Sequence, residues 1–136
     1  MNFWLLKTEP SVYSYSDLER DKKTCWDGVT SPGGLFQIKQ VKKGDVAFIY
    51  HTGDEKQVVG IAEIVSNPYV DPNAGNPKIF VFDVKPKRQL KNPVTLERLK
   101  ADKRFRKARI VTEPRLSVQP MQEDLWKIIL QMAGEK

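Results

Sequence analysis

VAFIYHTGDEKQVVGIAEIVS, residues 46–66, is the stretch on which the fold turns. Residues 46–50 (VAFIY) are apolar and aromatic enough for a buried strand, and Lys43-Gly44-Asp45 makes the turn into it. His51-Thr52-Gly53-Asp54 forms a second turn, after which residues 57–66 (QVVGIAEIVS) return as a second strand. Two apolar runs around a short polar turn predict a hairpin. Upstream, NFWLLK (2–7) reads as a first strand stopped by Pro10. Downstream, KIFVFDVKPKRQL (78–90) reads as a third long strand, apolar on Ile79 and Val81. The intervening NPYVDPNAGNP (67–77) holds three prolines and a glycine, which predicts irregular structure.

Helices fit around these strands. Ser14 and Asp17 form a capping box that starts a short helix running to Arg20. Pro32 and Gly33-Gly34 precede a weaker helical stretch from Leu35 to Val41, with Leu35, Ile38 and Val41 at helical spacing. Thr95 can N-cap a helix through Lys100 with Leu96 and Leu99 on its inner face. Leu125, Ile128, Ile129 and Met132 stand at i, i+3, i+4 and i+7, and Gly134 is placed to end that last helix. No long helix alternates with each strand, so a doubly wound parallel sheet is excluded. The expectation is an α+β fold: a small, curved, mostly antiparallel sheet or β-barrel with short flanking helices.

At 136 residues the chain suits one domain spanning residues 1–136. No run approaches the ~18 apolar residues of a membrane span, so no membrane partner is expected. The opening residues have no basic leader or cleavage site, and are read as a strand rather than a signal peptide. Cys25 is the only cysteine, which rules out an internal disulfide and a thiolate metal cluster and makes a cytoplasmic location the default. Net charge is +6 but unevenly placed. Residues 85–109 hold eleven Lys or Arg against two acids, leaving twelve basic and fifteen acidic residues elsewhere. A basic segment on a mildly acidic body is either a solvated surface or a footprint for a polyanion.

Catalytic constellations are thin. His51 is the single histidine, so no metal or other cofactor is expected, and a Cys25–His51 dyad competes with Cys25 as a small buried apolar group. Phosphate-loop, dinucleotide and G-x-S-x-G signatures are missing. Aromatics at element ends are more informative. Trp26, Tyr50 and His51 stand beside Gly28, Thr30, Ser31, Thr52 and Gly53. Trp4 and Trp126 read as core. Trp26 is either a core plug or a flat wall for a nucleobase, and such stacking is worth about 1–3 kcal/mol.

Leu5-Leu6-Lys7-Thr8-Glu9-Pro10, Trp26-Asp27-Gly28-Val29, Lys43-Gly44-Asp45 and Tyr50-His51-Thr52 follow one another in an order that resembles the EVE domain family. Val59-Gly60-Ile61-Ala62-Glu63, Tyr69-Val70-Asp71-Pro72 and Arg115-Leu116-Ser117-Val118 continue the match across nearly the whole chain. The resemblance implies a PUA-like barrel related to YTH domains. It also implies a non-catalytic reader of a modified base, particularly modified cytosine, in DNA or RNA. By matching motif it makes Trp26 the stacking wall, with Asp27, Gly28 and Val29 shaping the pocket. Lys7, Thr8 and Glu9 stand in the family's Lys-Ser-Glu-Pro position, and Tyr50, His51 and Thr52 in its Tyr-His-Ser position. Arg115 and Ser117 come from Arg-Leu-Ser-Val, as ligand contacts or as packing behind the pocket.

The sequence departs from the family's Arg-Asn-Tyr-x-Ala-Arg-Asn after Trp-Asp-Gly-Val. Here Thr30, Ser31, Pro32, Gly33, Gly34, Leu35 and Phe36 fill that slot, so two guanidinium donors are lost and Pro32 replaces an aromatic wall. The expected reader is a monomer that grips nucleic-acid phosphates with Lys85, Lys87, Arg88, Lys103, Arg104, Arg106, Lys107 and Arg109. A hydrolase of modified nucleosides on the same scaffold, using Lys7 and Glu9, and a protein-interaction module are the competing classes.

Overall fold

Every residue of the hairpin's first strand is buried, which places it centrally in the sheet. The structure is a computed structural model and describes residues 1–135. Its strands are β1 (Phe3–Thr8), β2 (Thr24–Trp26), β3 (Val46–His51), β4 (Gln57–Ile64), β5 (Tyr69–Val70), β6 (Phe80–Thr95) and β7 (Val118–Met121). The helices are α1 (Tyr15–Asp21), α2 (Pro32–Ile38), α3 (Leu96–Ala101), α4 (Arg109–Thr112) and α5 (Glu123–Met132). The order in the sheet is β2-β6-β4-β3-β1-β7, with β5 added on β6. All pairings are antiparallel except β1 with β3.

The 46–66 hairpin forms as its sequence predicts, with a register shift at Ile49/Tyr50. The third strand is far longer than its apolar run. β6 continues to Thr95 and crosses β4 with irregularities at Val58/Gly60 and Ile61/Ala62. Such irregularities bend and twist a strand, which lets one long strand curl the sheet. The proline-rich segment is not wholly irregular either, since Tyr69 and Val70 pair with Val81 and Phe80 as β5. β2 and β7 were too short to show any periodicity in the sequence.

Curvature divides the apolar residues into two cores. Trp4, Leu6, Trp26, Ala47, Ile49, Ile64, Phe82 and Val118 pack together with Tyr15 and Leu18 of α1. Strands from both edges of the sheet, β2 and β7, contribute to this cluster, so it is the concave interior. Leu5, Phe48, Tyr50, Leu90, Val94 and Leu99 face the other way, beneath Phe105, Ile110, Trp126 and Ile129 of the C-terminal helical segments. Trp126 stacks on Phe48 with ring centroids 3.8 Å apart. Trp4 is interior as expected, its Nε1–H donating to buried Asp45 at 2.9 Å. Asp45 also accepts from the backbone N–H of Asn2 and Lys42, which gives the Lys-Gly-Asp turn a structural role.

Two helices decide how the interior is closed. The Ser14–Asp17 capping box starts α1 as predicted. Gly60 lets the Tyr15 ring lie directly on β4, where any Cβ would overlap it, and the Tyr15 hydroxyl donates to the Ile61 carbonyl at 2.7 Å. α2 begins earlier than its apolar spacing suggests. Ser31 is the N-cap, Pro32 opens the first turn, and Gly33 and Gly34 lie within the helix. A Cβ on Gly34 would stand 2.5 Å from Val29 Cγ1, so the glycine permits close packing and is not a helix breaker. α2 packs on both β6 and β7 and so bridges the open side of the curled sheet.

Candidate base-binding site

The two edges of the sheet approach each other without pairing, and a cavity of about 630 Å³ occupies that seam. One side comes from β1 and the entry to β7: Lys7, Thr8, Glu9 and Ser117. The other comes from β2 and the residues after it: Thr24, Cys25, Trp26, Asp27, Gly28 and Val29. Val12 and Tyr13, on the turn between β1 and α1, complete the lining. A volume of this order suits a small-molecule or single-base site.

Backbone pairing builds the β1 side. The Lys7 N–H donates to the Ser117 carbonyl at 2.9 Å, and the Thr52 N–H donates to the Thr8 carbonyl at 2.9 Å. The Thr8 hydroxyl donates to the Tyr13 carbonyl at 2.7 Å, tying the turn to the strand. Lys7 Nζ donates to the Pro114 carbonyl at 2.9 Å and lies 5.6 Å from the centre of the Tyr50 ring. Burial lowers the Lys7 pKa below the ordinary lysine range. Gln119 fixes the segment that supplies that carbonyl. It is buried, and its side-chain N–H groups donate to the carbonyls of Arg109, Glu113 and Leu116 at 3.2, 2.8 and 2.9 Å.

Trp26 is both core and lining. It pairs with Phe82 in the sheet and packs in the concave core, only 7% exposed. A ring this enclosed cannot offer an open face as a free-standing wall. Trp26, expected as the stacking wall, thus lines the cavity while packed in the concave core through the β2 pairing. The other aromatic in the lining is Tyr13, half-buried, whose hydroxyl donates to Asp21 at 2.9 Å. Burial raises its pKa.

The expected site residues therefore separate. Lys7, Thr8, Glu9, Trp26, Asp27, Gly28, Val29 and Ser117 converge on the cavity. Tyr50, His51, Thr52, Thr30, Ser31, Pro32 and Arg115 lie outside its lining. Tyr50 is buried in the outer core. His51 is 7% exposed with both ring nitrogens engaged: Nε2 accepts from the Tyr15 N–H at 3.0 Å, and Nδ1 faces Glu55 Oε1 at 2.8 Å. The acceptor role of Nε2 puts the proton on Nδ1. This bond lowers the Glu55 pKa. His51 thus anchors α1 and cannot serve Cys25 as a base. The Cys25 thiol instead lies 3.5 Å from the Tyr69 hydroxyl, which donates to Asp83 at 2.7 Å, and burial raises the thiol's pKa. Ser31 and Arg115 face a separate shallow cleft with Gly33 and Leu116.

Val12, Tyr13, Thr24 and Cys25 join the lining without having been singled out as binding residues. A tyrosine just ahead of the α1 capping box was the one available signal. Val12 carried none, and the short β2 gave no alternation to place Thr24.

The basic stretch is also divided. Arg88 bonds Glu135 at 3.0 Å, beyond the C-terminal end of α5, while Arg104, Lys107 and Arg109 share a pocket with Gln122 and Leu125 at its N-terminal end. Ten helical residues separate these groups by about 15 Å. Acids neutralise part of the charge: Lys85 faces Glu63 at 3.8 Å, Arg104 bonds Asp102 at 2.7 Å and Arg109 approaches Glu113 at 3.4 Å. Among the described residues, no three His, Cys, Asp or Glu side chains are grouped to hold a metal ion. Nor, among the described residues, is any helix long and apolar enough to cross a membrane.

The EVE domain model matches residues 2–132. Rat thymocyte nuclear protein 1 is 30% identical over 96% of this chain and 73% of its own length. A Rhodopseudomonas palustris protein solved by NMR is 36% identical, covers 98% of this chain and 94% of its own, and superposes with a TM-score of 0.93. Human THYN1, solved in complex with 5-methylcytosine-containing DNA, is 26% identical, covers 100% of this chain and 99% of its own, and gives a TM-score of 0.89. With its curled sheet, short flanking helices and seam cavity, this chain belongs to the EVE domain family.

Proposed function

We propose that the protein is a non-catalytic reader that takes one modified cytosine of DNA into the seam cavity. The observation that carries this reading is the whole-chain likeness to human THYN1, which was solved with 5-methylcytosine-containing DNA. The chemistry of the cavity suits it. A cytosine edge offers an exocyclic N–H₂ donor and ring acceptors. Asp27 supplies a carboxylate acceptor, Thr8 keeps acceptor capacity on a hydroxyl whose proton is already committed, and Lys7 keeps two donors beyond its bond to Pro114. Trp26 and Tyr13 supply apolar surface for the base and its substituent.

Two features support binding without chemistry. His51 spends both nitrogens on structure, and burial shifts the Cys25 thiol upward. We assign the phosphate grip to Lys103, Arg106, Lys107 and Arg109. Their segment leads into α4, which packs on β7, the strand entered through Ser117. Phosphate contacts of this kind make affinity fall with salt.

The test is a binding array of oligonucleotides carrying cytosine, 5-methylcytosine or other modified cytosines, as DNA and as RNA, with turnover followed in parallel. A preference for one modified cytosine in DNA with no product formed is expected. Equal binding to modified and unmodified strands, or release of a modified base, overturns the reading.

A further inference from the structure

Val12 is 79% exposed, yet it lines the seam cavity. A lone exposed aliphatic needs no explanation by itself. This one is held out by a fixed turn. The Glu9 carbonyl accepts from the N–H groups of Val12 and Tyr13, both at 2.9 Å. The Glu9 carboxylate accepts from the Ser11 N–H and hydroxyl at 2.6 and 2.8 Å, and Thr8 closes the turn onto Tyr13. The loop between β1 and α1 therefore presents one apolar side chain at the rim with little left to order on binding.

A base withdrawn from a duplex leaves a gap in the stack, and opening that gap is costly. Minor-groove proteins insert apolar side chains between partly unstacked base steps. We propose that Val12 is such a wedge, entering duplex DNA at the gap left by the base drawn into the cavity. The inference rests on the reader assignment above and narrows its substrate to duplex DNA. Phe36 on α2 is also exposed, at 62%, but lies outside the cavity lining and makes a matched control.

The experiment compares a duplex bearing one 5-methylcytosine, the same strand unpaired, and the matching RNA strand, for the full chain and for Val12→Ser, Val12→Leu and Phe36→Ala. Val12→Ser weakens duplex binding by about tenfold and single-strand binding by less than about twofold. Val12→Leu retains duplex binding, and Phe36→Ala binds every probe as the parent does. Fluorescence of 2-aminopurine next to the modified base rises with the parent and less with Val12→Ser. Unchanged melting temperatures show that the turn has not collapsed. Equal losses on duplex and single strand make Val12 a pocket wall and overturn the wedge, as does no loss on either. A parent that prefers single-stranded DNA or RNA to the duplex overturns it too. A parent that ignores the methyl group on every probe strikes the reader assignment itself.

Discussion

Lys7 and Ser117, at opposite ends of the chain, meet across a single backbone hydrogen bond in the seam cavity. Arg88 and Arg104, close in sequence, lie at opposite ends of α5. The cavity is gathered from distant segments because the sheet curls until its two edges approach. The basic stretch is dispersed because β6 and the helical turns after it carry it over a long path. The difference teaches that an uninterrupted charge pattern does not make a patch, and a scattered set of motifs can make a site.

Replacing Trp26 probes the cavity side of this contrast most severely. Trp26→Ala removes a core aromatic and is expected to cost about 3–5 kcal/mol, read by urea unfolding, with base binding lost alongside it. A variant that stays as stable as the parent would break the contrast, because Trp26 would then be a wall and not core. Lys7→Met is the cleaner probe. It removes a charged donor from the cavity and is expected to weaken binding to 5-methylcytosine DNA by about tenfold, while stability holds or rises. The sign follows from burial. The folded state lowers the Lys7 pKa, so its charged form disfavours folding at neutral pH and that penalty is relieved as pH rises.

The basic stretch predicts smaller, sequence-independent effects. Lys103→Ala and Lys107→Ala should each reduce the slope of log affinity against log salt by about 1, equally for modified and unmodified DNA. Lys85→Ala, on β6 and facing Glu63 of β4, should leave that slope unchanged. A shared loss among all three would reunite the stretch into one surface. The smallest effect concerns Asp102, whose carboxyl is held down to about 2 by hydrogen bonds from Arg104. Its contribution to stability is present above the ordinary aspartate value of 3.8 and is lost as pH falls toward 2. Asp102→Asn should therefore flatten that part of the acid limb in melting temperature, by little, because the pair is exposed.

Much of the candidate site could be read as motifs. Lys7-Thr8-Glu9 and Trp26-Asp27-Gly28-Val29 were recognisable and converge on the cavity. Tyr50-His51-Thr52 was equally recognisable yet stands behind it, since β3 buries on both faces and sends Tyr50 into the outer core. No local pattern distinguishes a residue that touches a ligand from one that supports the wall. Tyr13 was missed because its role depends on where the folded sheet sets the turn after β1, and the contacts with Thr8 and Glu9 that tie this turn are local and do not show which way it faces.

Periodicity and turn chemistry alone determined the 46–66 hairpin, the capped starts of α1 and α3, and the amphipathic last helix. These depend on neighbours within about one turn or one hairpin. The extent of β6, the pairing of β2, the embedding of Trp26 and the division of the basic stretch were decided only by the tertiary structure. Each depends on sheet curvature, which sums many small twists and irregularities along β4 and β6 and brings together edges that share no local signal.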